Sequence, residues 1–137
     1  MPPPDLLALG REVLGRQAFS VLLGARLDAF EAGSAQLSLP LVPALLQQDG
    51  FVHGGVLSYL ADNALTYAGG SVLGKVLTSE FKINYLRPAI DAERLVAVAT
   101  VVASGKSQAV CRCDVFLDRA GRRELCAAAQ GTIRKVG

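Results

Sequence analysis

The sequence predicts an α+β domain in which an antiparallel sheet wraps around one long central helix. Three observations carry this. Val56, Leu57, Leu60, Ala61, Ala64, Leu65 and Ala68 recur at helical spacing and make one broad apolar stripe. After Gly74 the pattern turns to strand alternation and holds through about four consecutive segments. Consecutive meandering strands form an antiparallel sheet, and the long helix is the only element large enough to cover one of its faces. The chain of 137 residues is 51% hydrophobic and 19% charged. That suffices for one core and is too apolar for a disordered chain.

Taken in order, residues 5–17 predict a short amphipathic helix, capped by Asp5, with Leu6, Leu7, Leu9 and Val13 as its apolar face. Residues 1–19 are read as an N-terminal helical segment and 20–137 as a single domain. Over residues 25–41, Leu27, Ala29, Ala35, Leu37 and Leu39 share one parity and Arg26, Asp28, Ser34, Gln36 and Ser38 the other. This is strand patterning with a turn near Gly33. "VPALLQQDGF" is a turn with one short helix. The main helix runs from 54 to about 70, where Gly69-Gly70 ends it. In "VLTSEFKINYL", Leu77, Phe81, Ile83 and Tyr85 face one way and Thr78, Glu80, Lys82 and Asn84 the other, with Arg87-Pro88 as the stop. "RLVAVATVVAS" is nearly all apolar, as in a strand covered on both faces. "SQAVCRCDVFL" places Ala109, Cys111, Cys113, Val115 and Leu117 on one face, and residues 123–135 give a last strand.

Composition narrows the function. A net charge of +2 is too small to point to nucleic acid or an acidic membrane surface. No apolar run reaches the roughly 18 residues of a membrane span. The start lacks the basic head and long apolar core of a signal peptide, so a cytoplasmic location is expected. Three cysteines and one histidine supply neither a disulfide framework nor the ligand set of a zinc site, and the thiols read as core residues. No zinc site is expected. There is no G-x-S-x-G, and His53 has no triad pattern around it, which disfavours a serine hydrolase.

The chemistry concentrates in "FVHGGVLSYLADNALTYAGG", residues 51–70, where Asp62 is the one formally charged side chain between Asp49 and Lys75. His53-Gly54-Gly55 stands at the helix entrance. There the first N–H groups lack helical partners and the helix dipole favours negative charge, including an oxyanion. Ser58-Asp62-Thr66 and Tyr59-Asn63-Tyr67 form two rows along the helix. Asp62 lies ~12 Å beyond Gly54 along the axis and some 80° around it. One chain's pair cannot easily reach a single carbonyl, and two antiparallel helices across a two-fold axis could, so the spacing asks for a homodimer with composite sites. Blander readings stand beside these. Asp62 could be a solvated carboxylate, the glycines could serve packing alone, and His53 could orient the loop or move a proton. Thr66 could back-bond to the Asp62 carbonyl, and Tyr59 and Tyr67 could be core or interface aromatics.

"VHGGVLSYLADNALTYA", followed by "LTSEFKINYLRPA", resembles the hotdog-fold acyl-CoA thioesterases, in particular the PaaI-like subgroup of the 4-hydroxybenzoyl-CoA thioesterase superfamily. The likeness covers roughly residues 20–135. It implies hydrolysis of an aryl- or medium-chain acyl-CoA to free acid and CoA, with no metal or bound cofactor. It also implies a homodimer with inter-subunit sites, assembled further into a homotetramer. By the resemblance, Gly54 supplies the oxyanion N–H, and Asp62 of the partner subunit acts as nucleophile or as general base. Gln47, with Gln48 as a register alternative, binds the thioester or positions water. His53 matches the motif's histidine, Thr66 a polar residue one turn past the acid, and Thr78 a hydroxyl that holds the attacking water. Relatives often carry Asn at the position of Gln47, and another branch pairs Gln with Glu; this chain pairs Gln47 with Asp62. Arg87 and the turn Ser104-Gly105-Lys106-Ser107 suit the CoA phosphates. The same fold also hosts hydratases and dehydratases of acyl thioesters, and could serve as a non-catalytic acyl-CoA-binding module.

Overall fold

Three helices and six strands follow one another as α1 (Leu6–Gly15), α2 (Ala18–Leu23), β1 (Arg26–Glu31), β2 (Ser34–Pro40), a 3-10 turn (Pro43–Leu45), α3 (Gly54–Leu73), β3 (Val76–Tyr85), β4 (Arg94–Ser104), β5 (Gln108–Arg119) and β6 (Arg122–Lys135). The structure is a computed structural model and describes residues 5–137; the opening Met-Pro-Pro-Pro of the N-terminal segment lies outside them. The six strands form one antiparallel sheet in the order β1-β2-β4-β5-β6-β3, and α3 packs on every one of them. This is the hotdog arrangement, a sheet curled around one helix.

The seat of α3 is made of small residues. Leu57, Leu60 and Leu65 are buried, with Ala61, Ala64 and Ala68 between them, so the helix backbone can approach the sheet closely. Each buried leucine contributes roughly 2 kcal/mol from lost apolar exposure. Gly69 is the closest approach: a Cβ there would lie 2.7 Å from Ile133 of β6. Gly69 and Gly70 therefore do not end the helix as their pairing suggests. The helix continues to Leu73 and is capped by Gly74, whose φ of 90° only glycine adopts easily. Opposite, Leu37, Leu39, Leu95, Cys111, Cys113, Val115, Leu117 and Ile133 form the sheet's half of the core.

Two bulges change the expected faces. Asp28 is skipped in the pairing of β1 with β2, so Leu27 stays inward but Ala29 turns outward and Phe30 packs on the core. Ser79 is skipped in the pairing of β3 with β6, so Val76 and Thr78 share the helix side with Phe81 and Ile83, whereas Leu77 is 63% exposed. β4 is covered on both faces only in part. Leu95, Val96, Ala97 and Ala99 are buried while Thr100, Val102 and Ala103 are exposed, because no second layer among the described residues covers this end of the sheet's outer face.

At the N-terminus, Asp5 caps α1 by accepting the Ala8 N–H at 3.3 Å. Its inward side is Leu7, Gly10 and Leu14, while Leu9 and Val13 are exposed. The buried Tyr67 hydroxyl donates to the Gly10 carbonyl at 2.8 Å and pins α1 to α3. α2, which the sequence pattern does not announce, presents the buried Ser20 to Tyr59, and Tyr59 donates to it at 2.5 Å. No described helix is long and apolar enough to cross a membrane.

Two expectations follow from the core. Gly69→Ala forces Ile133 or the helix to move and is expected to cost about 1–3 kcal/mol in denaturant unfolding. Gly15→Ala, where no atom lies within 4 Å, should be neutral or slightly stabilising in the same assay. The second concerns alkali. Burial pushes the thiols of Cys111 and Cys126 up from 9.0 to about 11, that of Cys113 to about 12, and the Tyr67 phenol from 10.0 to about 12. The unfolded chain releases these protons first. Stability should therefore be complete below about pH 9 and decline as pH rises towards about 12, read as falling urea midpoints across that window.

Candidate functional site

The first half of the site is the entrance of α3. The loop before it is folded on itself: Gln47 N–H donates to the Phe51 carbonyl at 2.7 Å and His53 N–H to the Leu45 carbonyl at 3.0 Å. Val52 N–H donates to the Ala89 carbonyl at 2.8 Å, which ties the loop to the segment after β3. His53 then caps the helix. Its Nδ1 accepts the Gly55 N–H at 2.9 Å and its carbonyl accepts the Val56 N–H at 2.9 Å. An accepting Nδ1 belongs to the neutral ring with its proton on Nε2. Among the described residues the Gly54 N–H has no partner. It opens on a cavity of about 480 Å³ bounded by Gln47, Val52, Leu57, Tyr85 and Arg87. A Cβ on Gly54 would first meet the Tyr85 ring and hydroxyl, at an ordinary 3.6 Å. The fold itself thus leaves room at this position.

The second half lies two turns along α3. Thr78 Oγ1 donates to Asp62 Oδ1 at 2.6 Å, and Thr66 Oγ1 lies 3.0 Å from Thr78 Oγ1 and 2.8 Å from the Asp62 carbonyl. Each hydroxyl has one proton. Since that of Thr78 goes to the carboxylate, the Thr66–Thr78 contact must use the proton of Thr66, which it shares with the carbonyl. The carboxylate is thereby fixed in orientation, and Oδ2 keeps no partner among the described residues. Asp62 is half-buried, the one formal charge on the helix.

Thr66 also borders an apolar groove of about 700 Å³ between α1 and the second half of α3, walled by Leu9, Val13, Phe30, Tyr67 and Gly70. The exposed Leu9 and Val13 are therefore groove walls. Beside it, Asn63 Nδ2 lies 3.1 Å from Gln17 Oε1 and 3.2 Å from the Tyr59 hydroxyl. This makes a polar knot that holds α2 against α3.

The residues singled out in the sequence fall into three places. Gly54, His53, Gln47 and Arg87 share the entrance, and Gln48 is an exposed neighbour outside the cavity lining. Asp62, Thr66 and Thr78 form the second cluster. Thr66 does back-bond, and it bonds to Thr78 as well. The turn Ser104–Ser107 is exposed at the opposite end of the sheet, where Lys135 N–H donates to the Ser107 carbonyl at 2.8 Å and Lys135 pairs with Val76. Val76 and Tyr85 lie nine steps apart along β3, about 30 Å at strand rise, so one chain does not bring this turn to Arg87. Arg87 is itself paired with Glu124 at 3.5 Å. No group of three His, Cys, Asp or Glu side chains among the described residues could hold a metal ion. Sequence reasoning missed the contact of Ser58 with Tyr85, 2.6 Å between hydroxyl oxygens. The two are 27 residues apart, and no local spacing signals it.

Comparison with known proteins follows this geometry. The family model of the thioesterase superfamily matches residues 49–122, a span that contains His53, Gly54, Asp62, Thr66, Thr78 and Arg87 but begins after Gln47. An esterase-like protein of Archaeoglobus fulgidus is 31% identical over 84% of this chain and 73% of its own length. The acyl-coenzyme A thioesterase PaaI of Escherichia coli is 32% identical over 64% of this chain and 63% of its own length. The crystal structure of a thioesterase family protein from Silicibacter pomeroyi superposes with a TM-score of 0.91 at 34% identity, covering 97% of this chain and all of that one.

The cap at the entrance can be tested without any substrate. His53→Ala removes the acceptor of the Gly55 N–H and should lower unfolding stability by about 1 kcal/mol. His53→Asn, which keeps a short acceptor, should retain most of it in the same denaturant titration.

Proposed function

The chain belongs to the thioesterase superfamily, as a PaaI-like hotdog thioester hydrolase, and from that premise we propose that it hydrolyses an aryl- or medium-chain acyl-CoA to the free acid and CoA. The observation that carries this reading is the unpartnered Gly54 N–H at an open cavity, with a locked carboxylate two turns further along the same helix. The thioester carbonyl sits against Gly54, where the N–H and the helix dipole stabilise the charge that develops on oxygen. Gln47, on the cavity wall, holds the thioester or the attacking water. Asp62 drives the attack through its free Oδ2, directly or by taking a proton from water, while Thr78 and Thr66 keep it aimed. Water completes the hydrolysis and CoA leaves as the thiolate. Arg87, released from Glu124, takes the CoA phosphates. The acyl tail enters the apolar groove at Thr66.

Gly54 and Asp62 that serve one substrate belong to different subunits. β3 ends the sheet with one edge unpaired within the chain, and it carries the exposed Leu77 and Tyr85. An antiparallel pairing of two such edges across a two-fold axis runs two α3 helices side by side in opposite directions. Asp62 of each then lies towards Gly54 of the other. The same operation carries the partner's 104–107 turn to the end of the sheet where Arg87 lies.

CoA release from a panel of aryl, short and medium acyl-CoAs, followed with a thiol reagent, tests the proposal. Asp62→Asn should lose about 10²- to 10⁴-fold in kcat with melting temperature and oligomeric state unchanged. A variant that still turns over overturns the role of Asp62. A wild type that binds acyl-CoA and releases no CoA is an acyl-CoA-binding module instead.

A further inference from the structure

We infer that Tyr85 is a positioning residue for the Gly54 turn, acting through a hydroxyl relay with Ser58; the catalytic consequence rests on the thioesterase reading above. Tyr85 closes β3, and its ring stands over Gly54 as one wall of the entrance cavity. Its hydroxyl lies 3.2 Å from the Gly54 carbonyl and 2.6 Å from Ser58 Oγ. One proton on each hydroxyl leaves a single assignment that fills both contacts. Tyr85 donates to the Gly54 carbonyl, and Ser58 donates to Tyr85. The relay spans the first turn of α3, from Gly54 to Ser58, and fastens it to the last residue of β3.

This fastening has a purpose the secondary structure alone does not serve. A first helical turn holds its N–H groups loosely, because nothing inside the helix precedes them. His53 holds the N–H side of the Gly54–Gly55 peptide plane through its Nδ1, and its own carbonyl holds the Val56 N–H; the carbonyl side of that plane, beside a glycine Cα free to turn, is left to another group. Tyr85 grips the carbonyl of that plane. The Gly54 N–H belongs to the preceding plane and shares the Gly54 Cα with this one, so holding this plane limits the torsions that aim the donor; a misplaced donor stabilises a developing oxyanion poorly, which matters in the transition state more than in substrate binding. Tyr85 is 53% exposed, so its phenol contributes little to the core of the chain, and its hydroxyl is committed to two hydrogen bonds with the first turn of α3.

The test compares wild type, Tyr85→Phe, Ser58→Ala and the double variant. Phe keeps the ring wall and removes only the relay. Two readouts are taken: backbone order parameters of Gly54 and Gly55 by NMR, and kcat and KM for CoA release. Expected for Tyr85→Phe are lower order parameters at those two residues with Gly69 and Gly70 unchanged, a kcat reduced about tenfold, and KM within about twofold, the split of a group that acts in the transition state. The double variant should be no worse than Tyr85→Phe, because the two hydroxyls act as one unit. Unchanged order parameters overturn the inference, as does a rise in KM at constant kcat, which marks a mere wall. Additive losses overturn the relay. If wild type releases no CoA from any thioester, the hydrolase reading fails, and the order parameters alone decide whether Tyr85 holds the turn.

Discussion

Everything in this protein depends on how closely one helix lies against one sheet. α3 touches all six strands, and it can do so only because its inward face alternates leucine with alanine and ends in Gly69 against Ile133. A bulkier stripe would lift the helix, open the gaps that destabilise a core and pull Thr66 away from Thr78. The contact at 3.0 Å between those two hydroxyls is a gauge of that seating, since one sits on the helix and the other on the edge strand.

Close seating also decides where chemistry can occur. With the inner stripe committed to packing, only the lateral edges of α3 and its N-terminus remain. One edge, Tyr59 and Asn63, is used to hold α2. The other, Ser58, Asp62 and Thr66, meets β3 through hydroxyls: Ser58 with Tyr85 at one end, Asp62 and Thr66 with Thr78 at the other. The edge strand is thus fastened to the helix at two points, and each point belongs to one half of the site. A rigid helix keeps those halves apart by a fixed distance, so a composite site follows from helix geometry as much as from sequence.

The sequence disclosed the architecture because burial writes itself as periodicity. The α3 stripe, the alternation of β5 and the turn near Gly33 all come through. It concealed what breaks periodicity. The bulge residues Asp28 and Ser79 each shift the register by one, so a parity rule sends Ala29 inward and Leu77 with it, when the fold turns both out. Gly69-Gly70 looked like a stop because glycine signals both chain reversal and close approach, and only the partner, Ile133, tells them apart. The site was legible where its residues share one element, as Asp62 and Thr66 do, or one motif, as His53 and Gly54 do. It was not legible where β3 returns to meet α3: the bond of Thr78 to Asp62 and the relay through Tyr85 join residues whose spacing carries no period.

Two glycines of the same helix show how structure separates packing from function. At Gly69 the space of the missing side chain is filled by protein, so glycine is what the core requires. At Gly54 a side-chain carbon would meet Tyr85 at normal contact distance with no clash, and the backbone is ordinary. The fold would accept alanine there. What an alanine would remove is clear approach to an N–H that has no partner among the described residues and that lines an open cavity, where an acceptor from outside can reach it. A helix entrance built this way, gripped on one side by His53 and on the other by Tyr85, is a rigid donor waiting for an oxygen.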